Sequence, residues 1–314
     1  MKKSLCRVLL LLVAIGIGVG IAVYRGGISP VRGTSQAFVM GSLLEQSVWT
    51  KGAKTALTYR ISDTADAIRA LEKTLTAGPL PADDPVQVLC DALTQKTSGA
   101  FRSDLGELID LWGIDQANRT PSVPSDEDIQ RALAGHGKAN YGAVGKGAAC
   151  DAALAVSKDA NLRGFVVSVG GNIVTFGNKP FGQPFKVALR DPKGALNDSI
   201  GVFTLKGTCF VSTSGSYEKY FEQDGKRYHH ILDGRTGYPA ETNGLISVTV
   251  LSNNGAVGDA LSTACFLVGY NDAQSLLDDY DCEAIFIYDS GAVRATGSAK
   301  ERFELRSEAY HWAD

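Results

Sequence analysis

The sequence predicts an α+β domain with mixed sheets and interleaved helices. Helical periodicity dominates the first half of the chain, β-rich runs dominate the second half, and two helices interrupt the strands. With 44% hydrophobic and 21% charged residues over 314 positions, the chain has ordinary globular usage and enough length to bury a core. The net charge of -3 leaves no basic surplus to neutralise a run of phosphates, which argues against nucleic acid as a partner.

The elements follow in order. Lys2, Lys3 and Arg7 precede the uncharged run Val8 to Tyr24, which Arg25 closes. Such a run lies at the short end of the roughly 17–25 residues that span a bilayer. Its positive flank places the N-terminus in the cytoplasm and the body outside. Residues 1–25 are therefore an N-terminal membrane anchor, with a cleaved signal segment as the rival reading. Gly16 and Gly20 stand at GxxxG spacing within it, a weak pattern in a glycine-rich run. Residues 26–35 read as a linker, 36–307 as one domain and 308–314 as a tail.

Asp63 to Ala77 has Ile68, Leu71 and Leu75 on one helical face. Asp84 to Gln95 is a second helix with Pro85 in its first turn. Ser125 to Asp128 resembles a capping box that opens a helix through Leu133. Lys146 to Asp159 is a small-residue helix launched from a glycine-rich loop. Strand-rich runs follow at Gly164–Phe176, Phe185–Leu189, Ser199–Lys206 and Thr208–Ser212. Asp224-Gly225 is the turn of a hairpin whose arms are Tyr217–Phe221 and Arg227–Ile231. Leu245–Leu251 is a strand, Ala256–Val268 a helix, and Ala284–Tyr288 with Ala292–Thr296 a last hairpin.

Five cysteines follow the anchor: Cys90, Cys150, Cys209, Cys265 and Cys282. The number is odd and no CxxC pair exists, so they read as buried free thiols rather than a zinc site or disulfide framework. Cys6, before the apolar run, cannot be a lipobox cysteine.

Five segments carry candidate chemistry. The loop Asn140 to Gly147 runs into a helix start, whose free N–H groups suit phosphate. It lacks the Walker A spacing, and a tight loop with a solvated Lys146 is an equal reading. Asp259 and Thr263 stand at i and i+4, so one helical face presents a carboxylate and a hydroxyl. Those are hard oxygen donors suited to Mg²⁺, although helix-start stabilisation explains the pair as well. His230 precedes Asp233 by three residues at a strand end, a common place for acid–base chemistry. Ser212 to Tyr217 is a hydroxyl-rich turn that could hold an anion. Gly170-Gly171 inside a strand pattern suggests a bulge or a close ligand contact.

The order and company of these segments are more specific than any one of them. GAVGKGAACDAA, SVGGNI, Arg190-Asp191-Pro192, STSGSYEKYF, YHHILDGRTGYPA and GDALSTACFLVG together resemble the ApbE family, the FAD:protein FMN transferases, from about Ala100 to Gly297. Val39-Met40-Gly41-Ser42 is similar to the family's opening strand. The resemblance implies a single T-fold-like α+β domain, exported or anchored to the cell membrane. It implies an enzyme that splits FAD at its pyrophosphate, releases AMP and leaves FMN esterified to a Thr or Ser of a partner flavoprotein.

By the same resemblance, Ala143 offers a backbone carbonyl to Mg²⁺, and Asp259 and Thr263 supply side-chain ligands. His230 would serve the attacking hydroxyl. Met40, Ala100, Phe101, Asn140, Lys146 and Leu232 would contact FAD. The chain departs from the family with Arg102 after the Ala-Phe pair, Asn140 for Asp in the loop, and Gly234 for Pro in the turn. Two alternatives stay open at this point: an FAD pyrophosphatase, in which water replaces the acceptor, and a flavin-binding or scaffold protein with weakened catalysis.

Overall fold

A strand packed on both faces needs apolar residues at consecutive positions rather than alternate ones. The run Ala284-Ile285-Phe286-Ile287 meets that need: Ala284 and Phe286 join one core cluster, while Ile285 and Ile287 join another. The computed structural model describes residues 31–50, 54–114, 116, 119–135, 137–158 and 162–313, and it shows what lies on each side.

The chain order is β1 (Val31–Val39), β2 (Ser42–Thr50), α1 (Lys54–Thr76), α2 (Pro85–Lys96), α3 (Gly106–Trp112), α4 (Asp126–Ala134) and α5 (Gly145–Ser157). Then come β3 (Leu162–Val169), β4 (Asn172–Gly177), β5 (Phe185–Arg190), β6 (Ser199–Leu205), β7 (Cys209–Gly215), β8 (Tyr220–Gln223), β9 (Lys226–His229) and β10 (Leu245–Ser252). The last elements are α6 (Gly255–Asp279), β11 (Glu283–Tyr288), β12 (Ala292–Ala295), α7 (Ala299–Arg302), β13 (Phe303–Leu305) and β14 (His311–Trp312).

A nine-stranded sheet, ordered β1-β2-β3-β4-β7-β10-β11-β12-β14, forms the middle layer. Its neighbours pair antiparallel except β12 with β14, which run parallel. On one face lie α1, α5 and α6, whose apolar residues pack with Phe165, Phe210, Val248 and Phe286. On the other face lies a three-stranded sheet, β13-β6-β5, which brings Phe185, Phe203 and Phe303 against Val211 and Ile285. Fully burying a side chain of this size contributes about 1.5–3 kcal/mol, so both layers hold the central sheet firmly. The β8–β9 hairpin is a sheet of its own.

Local signals explain most boundaries. Asp84 caps α2, accepting the Val86 N–H at 2.8 Å, and Ser125 caps α4 by accepting the Asp128 N–H at 3.2 Å. Asp224 and Gly225 both take left-handed φ (54° and 76°), as a two-residue hairpin turn requires.

Several expectations need correction. Residues 31–35, read as linker, are part of β1 and pair along β2 (Val31 opposite Thr50), so the first strand pair starts earlier. The C-terminal stretch read as a tail contains β14 and the buried Tyr310, recruited by pairing with β12. The first helix begins at Lys54 rather than Asp63, and α3 went unread because seven residues give too short a period. Gly170-Gly171 is a hairpin turn between β3 and β4, with φ of 55° and 92°, not a bulge. Ser212 to Gly215 continue β7 rather than forming a turn, because β10 pairs with them through Gly215. The last long helix runs to Asp279 across a break at Gly269 (φ 80°).

Among the described residues no helix is long and apolar enough to cross a membrane. The run Val8 to Tyr24, with Cys6, Gly16 and Gly20, lies outside the described residues. The five later cysteines are free and buried, as their apolar surroundings predict.

Candidate active site

A cavity of about 590 Å³ opens where the β1–β2 turn, the segment after α2, the loop before α5, the end of β7, the β9 exit and one face of α6 converge. All ten site residues expected from the sequence line it: Met40, Ala100, Phe101, Asn140, Ala143, Lys146, His230, Leu232, Asp259 and Thr263. That volume falls in the ordinary range for a small-molecule site.

The β1–β2 turn is a two-residue hairpin with both residues left-handed, Met40 at φ 51° and Gly41 at φ 64°. A side chain at such φ costs roughly 1–2 kcal/mol. Glu72 of α1 helps hold the turn there, accepting the Met40 N–H at 2.9 Å. Sequence offers no signal for Glu72, since its partner is 32 positions away.

The segment after α2 is tied to the turn after β9. The Ala100 carbonyl accepts the Gly234 N–H at 2.9 Å, and the Thr97 hydroxyl accepts the Phe101 N–H at 3.0 Å. Arg102 donates to both carboxylate oxygens of Asp104 at 2.7 and 2.8 Å, which aligns its guanidinium along the wall. Asn140 turns its Oδ1 back to accept the Gly142 N–H at 2.8 Å, shaping the loop that presents Ala143 and Lys146.

The carboxylate corner is built by two helix starts. Gly147, in the first turn of α5, donates its N–H to Asp259 Oδ2 at 2.8 Å. Asp151, one turn further along α5, accepts the Gly255 and Ala256 N–H groups that open α6, each at 2.8 Å. Each helix thus caps the other. The approach is so close that a Cβ on Gly147 would lie 2.0 Å from the Gly255 carbonyl oxygen. Asp259 is only 3% exposed. Burial pushes its carboxyl up from the ordinary range, against the opposing pull of the Lys146 charge and the Gly147 N–H.

Thr263, one turn on, places its hydroxyl 2.9 Å from Ser214 of β7, and Ser214 lies 2.7 Å from Ser262. Ser262 donates to the Asp259 carbonyl oxygen at 2.8 Å, so it is Ser262 that bonds back along the helix. The hydroxyls of Ser212 to Tyr217 therefore divide, with Thr213 and Ser214 on the cavity wall.

The two adjacent histidines part company. His229 is buried, with Nε2 facing the Ala240 carbonyl at 3.1 Å and Nδ1 accepting the Ile231 N–H at 3.3 Å. Burial lowers it to about 4, so it stays neutral. His230 lines the cavity, with Nδ1 3.2 Å from the Lys219 carbonyl. A carbonyl only accepts, so Nδ1 is the donor in this contact, and in the neutral form of such a ring Nε2 is the accepting nitrogen. Asp233 does not serve this ring through the three-residue spacing. It is bound by Arg235, at 2.5 Å from Nη2, and by its own turn, and its N–H donates to the Tyr238 carbonyl.

Among the described residues no three His, Cys, Asp or Glu side chains cluster as a metal site. The oxygen set of Asp259, Thr263 and the Ala143 carbonyl nevertheless fits a hard divalent cation. All three residues line one cavity, and the burial of the Asp259 carboxylate there is only partly offset by the Lys146 charge.

A model of the ApbE family matches residues 63–286. The FAD:protein FMN transferase of Treponema pallidum is 30% identical over 334 aligned positions, covering 89% of this chain and 91% of the relative. The crystal structure of the ApbE protein from Thermotoga maritima superposes with a TM-score of 0.70 at 27% identity, over 88% of this chain and 100% of that one. The apo flavinyl transferase ApbE of Pseudomonas stutzeri gives 0.69 at 27% identity, over 88% and 98%. With the family model covering well over half of it, the chain belongs to the ApbE family.

Proposed function

We propose that the chain is a Mg²⁺-dependent FAD:protein FMN transferase whose body is held outside the cytoplasmic membrane by residues 1–25. The observation that carries this reading is the meeting of His230, Asp259 and Thr263 on one cavity wall in a chain of this family. The export reading rests on Lys2, Lys3 and Arg7 before an uncharged run.

FAD is the substrate. Phe101, Leu232 and Met40 of the cavity offer apolar partners to its isoalloxazine and adenine, and Lys146 with the start of α5 would suit its pyrophosphate. Asp259, Thr263 and the Ala143 carbonyl would hold Mg²⁺, which when bound supplies neutralisation of the pyrophosphate charge. A Thr or Ser hydroxyl of an exported flavoprotein attacks the FMN phosphorus. Its proton passes to Nε2 of His230, whose orientation the Lys219 carbonyl sets. A phosphorus–oxygen bond forms to the acceptor, the pyrophosphate bond breaks, and AMP leaves with the bridging oxygen. The buried Asp259 corner keeps the charges that act on the phosphates out of bulk water, where they are worth most.

The test is to incubate the protein with FAD, Mg²⁺ and candidate exported flavoproteins. Intact mass reads the added FMN and chromatography reads AMP. Acceptor gaining FMN together with AMP supports the transferase. AMP with free FMN points to hydrolysis, and neither product points to a binder.

A further inference from the structure

Three hydroxyls and one carbonyl behind the proposed cation position form a chain whose direction can be read. Ser262 Oγ lies 2.8 Å from the Asp259 carbonyl oxygen, Ser214 Oγ 2.7 Å from Ser262 Oγ, and Thr263 Oγ1 2.9 Å from Ser214 Oγ. A carbonyl cannot donate, so the Ser262 hydrogen goes to Asp259. Ser262 can then only accept from Ser214, and Ser214 can then only accept from Thr263. Three hydrogens serve three contacts in one consistent order, and any other order leaves two oxygens facing each other without a hydrogen.

The consequence falls on Thr263. With its hydrogen turned towards Ser214 on β7, the lone pairs of Oγ1 are the part of the hydroxyl left to face other partners. A threonine oriented this way is an acceptor towards the cavity, and so a cation ligand rather than a donor to phosphate. The chain ends on the backbone carbonyl of Asp259, whose carboxylate is held separately by the Gly147 N–H.

We propose that Ser214, supported by the fully buried Ser262, is a positioning residue that turns the Thr263 lone pairs towards the bound cation. This inference rests on the reading of Thr263 as a Mg²⁺ ligand. Outer partners of metal ligands typically change affinity by roughly 10–100-fold, which sets the expected scale.

The experiment titrates MgCl₂ into the protein with FAD present and follows FAD binding by flavin fluorescence. Thermal midpoints without Mg²⁺ are recorded alongside. Ser214→Ala is expected to raise the half-saturating Mg²⁺ concentration about 10-fold, while the metal-free midpoint reports separately the stability lost with its two hydrogen bonds. Ser214→Thr, which keeps the hydroxyl, restores the wild-type value. Ser262→Ala raises it less, because it only releases the Ser214 hydrogen. That variant stands in if Ser214→Ala does not fold. An unchanged Mg²⁺ requirement in the serine variants while Thr263→Ala raises it overturns the inference alone. An unchanged requirement in Thr263→Ala as well overturns the metal reading beneath it. A rise that Ser214→Thr does not reverse assigns the effect to packing and also overturns the inference.

Discussion

The corner where α5 meets α6 and the flanks of the β8–β9 hairpin, Lys219 and His230, line the same cavity but are held by different means. At the corner, Asp259 is 3% exposed and tied to the Gly147 N–H of α5 and, through its carbonyl, to the Ser262 hydroxyl of its own helix. The hairpin is a two-stranded sheet with exposed Lys226 and Arg227, and such a pair is marginal by itself. What fixes it is an aromatic stack. Trp112 of α3 packs against Phe221, Tyr228 and Tyr238 at centroid distances of 6.4, 5.7 and 5.8 Å, and its Nε1–H donates to the Gly237 carbonyl. The difference matches the proposed tasks. A fixed charge acting on phosphate needs burial and rigid neighbours, whereas the group that receives a proton from a second protein must stand where that protein can reach it.

The sharpest way to break this division is Asp259→Ala, which should take Mg²⁺-dependent transfer below detection, while Thr263→Ala leaves a reduced but measurable rate. Removing the charged ligand forfeits several kcal/mol of transition-state stabilisation, and water can replace a hydroxyl but not a carboxylate. Wild-type turnover by Asp259→Ala at equal Mg²⁺ would dissolve the corner's role. Next in size, His230→Ala should lower transfer by about 10²–10⁴-fold with FAD binding retained. Equal losses of turnover and FAD binding would make it a wall residue instead.

The neighbouring His229 tests the hairpin's structural half. Its folded value of about 4 lies below the ordinary 6.5 because burial disfavours the charged ring. The unfolded chain therefore binds the proton first as pH falls. The stability contributed by neutral burial is complete above about pH 6.5 and is lost as pH drops through the folded value, by at most about 3 kcal/mol. Urea midpoints at pH 7 and pH 4.5 should diverge more for wild type than for His229→Gln. The smallest effect lies at the opposite wall. Met40→Asn suits the left-handed turn better and should stabilise the fold by about 1 kcal/mol while weakening FAD binding. A lower melting temperature would show that Met40 packing, which brings its Cε near Gly145, outweighs the turn preference.

Much of the fold was legible because its signals are local. Ser125 announces α4 through capping and Pro85 announces α2 by its place in a first turn, and Asp224-Gly225 announces a hairpin through φ requirements that few residues meet. The edge strand β1 was not legible, since Val31 to Ser35 reads as a flexible segment until β2 offers it partners. Spacing suggested that His230 and Asp233 act together. The turn instead gives Asp233 to Arg235, a choice made by closing the Asp233–Tyr238 loop.

By itself, the sequence determined the family, the helix and turn signals, and the identity of the oxygen and nitrogen groups able to handle a pyrophosphate. Those depend on residue type and short spacing. Only the tertiary structure decided which groups meet. Met40 finds Glu72 across 32 positions, Gly147 finds Asp259 across 112, and Ser214 finds Thr263 across 49. No local period encodes such contacts. They exist because the helix layer buries its apolar face on the central sheet, and that packing brings the ends of distant strands and helices to one cavity.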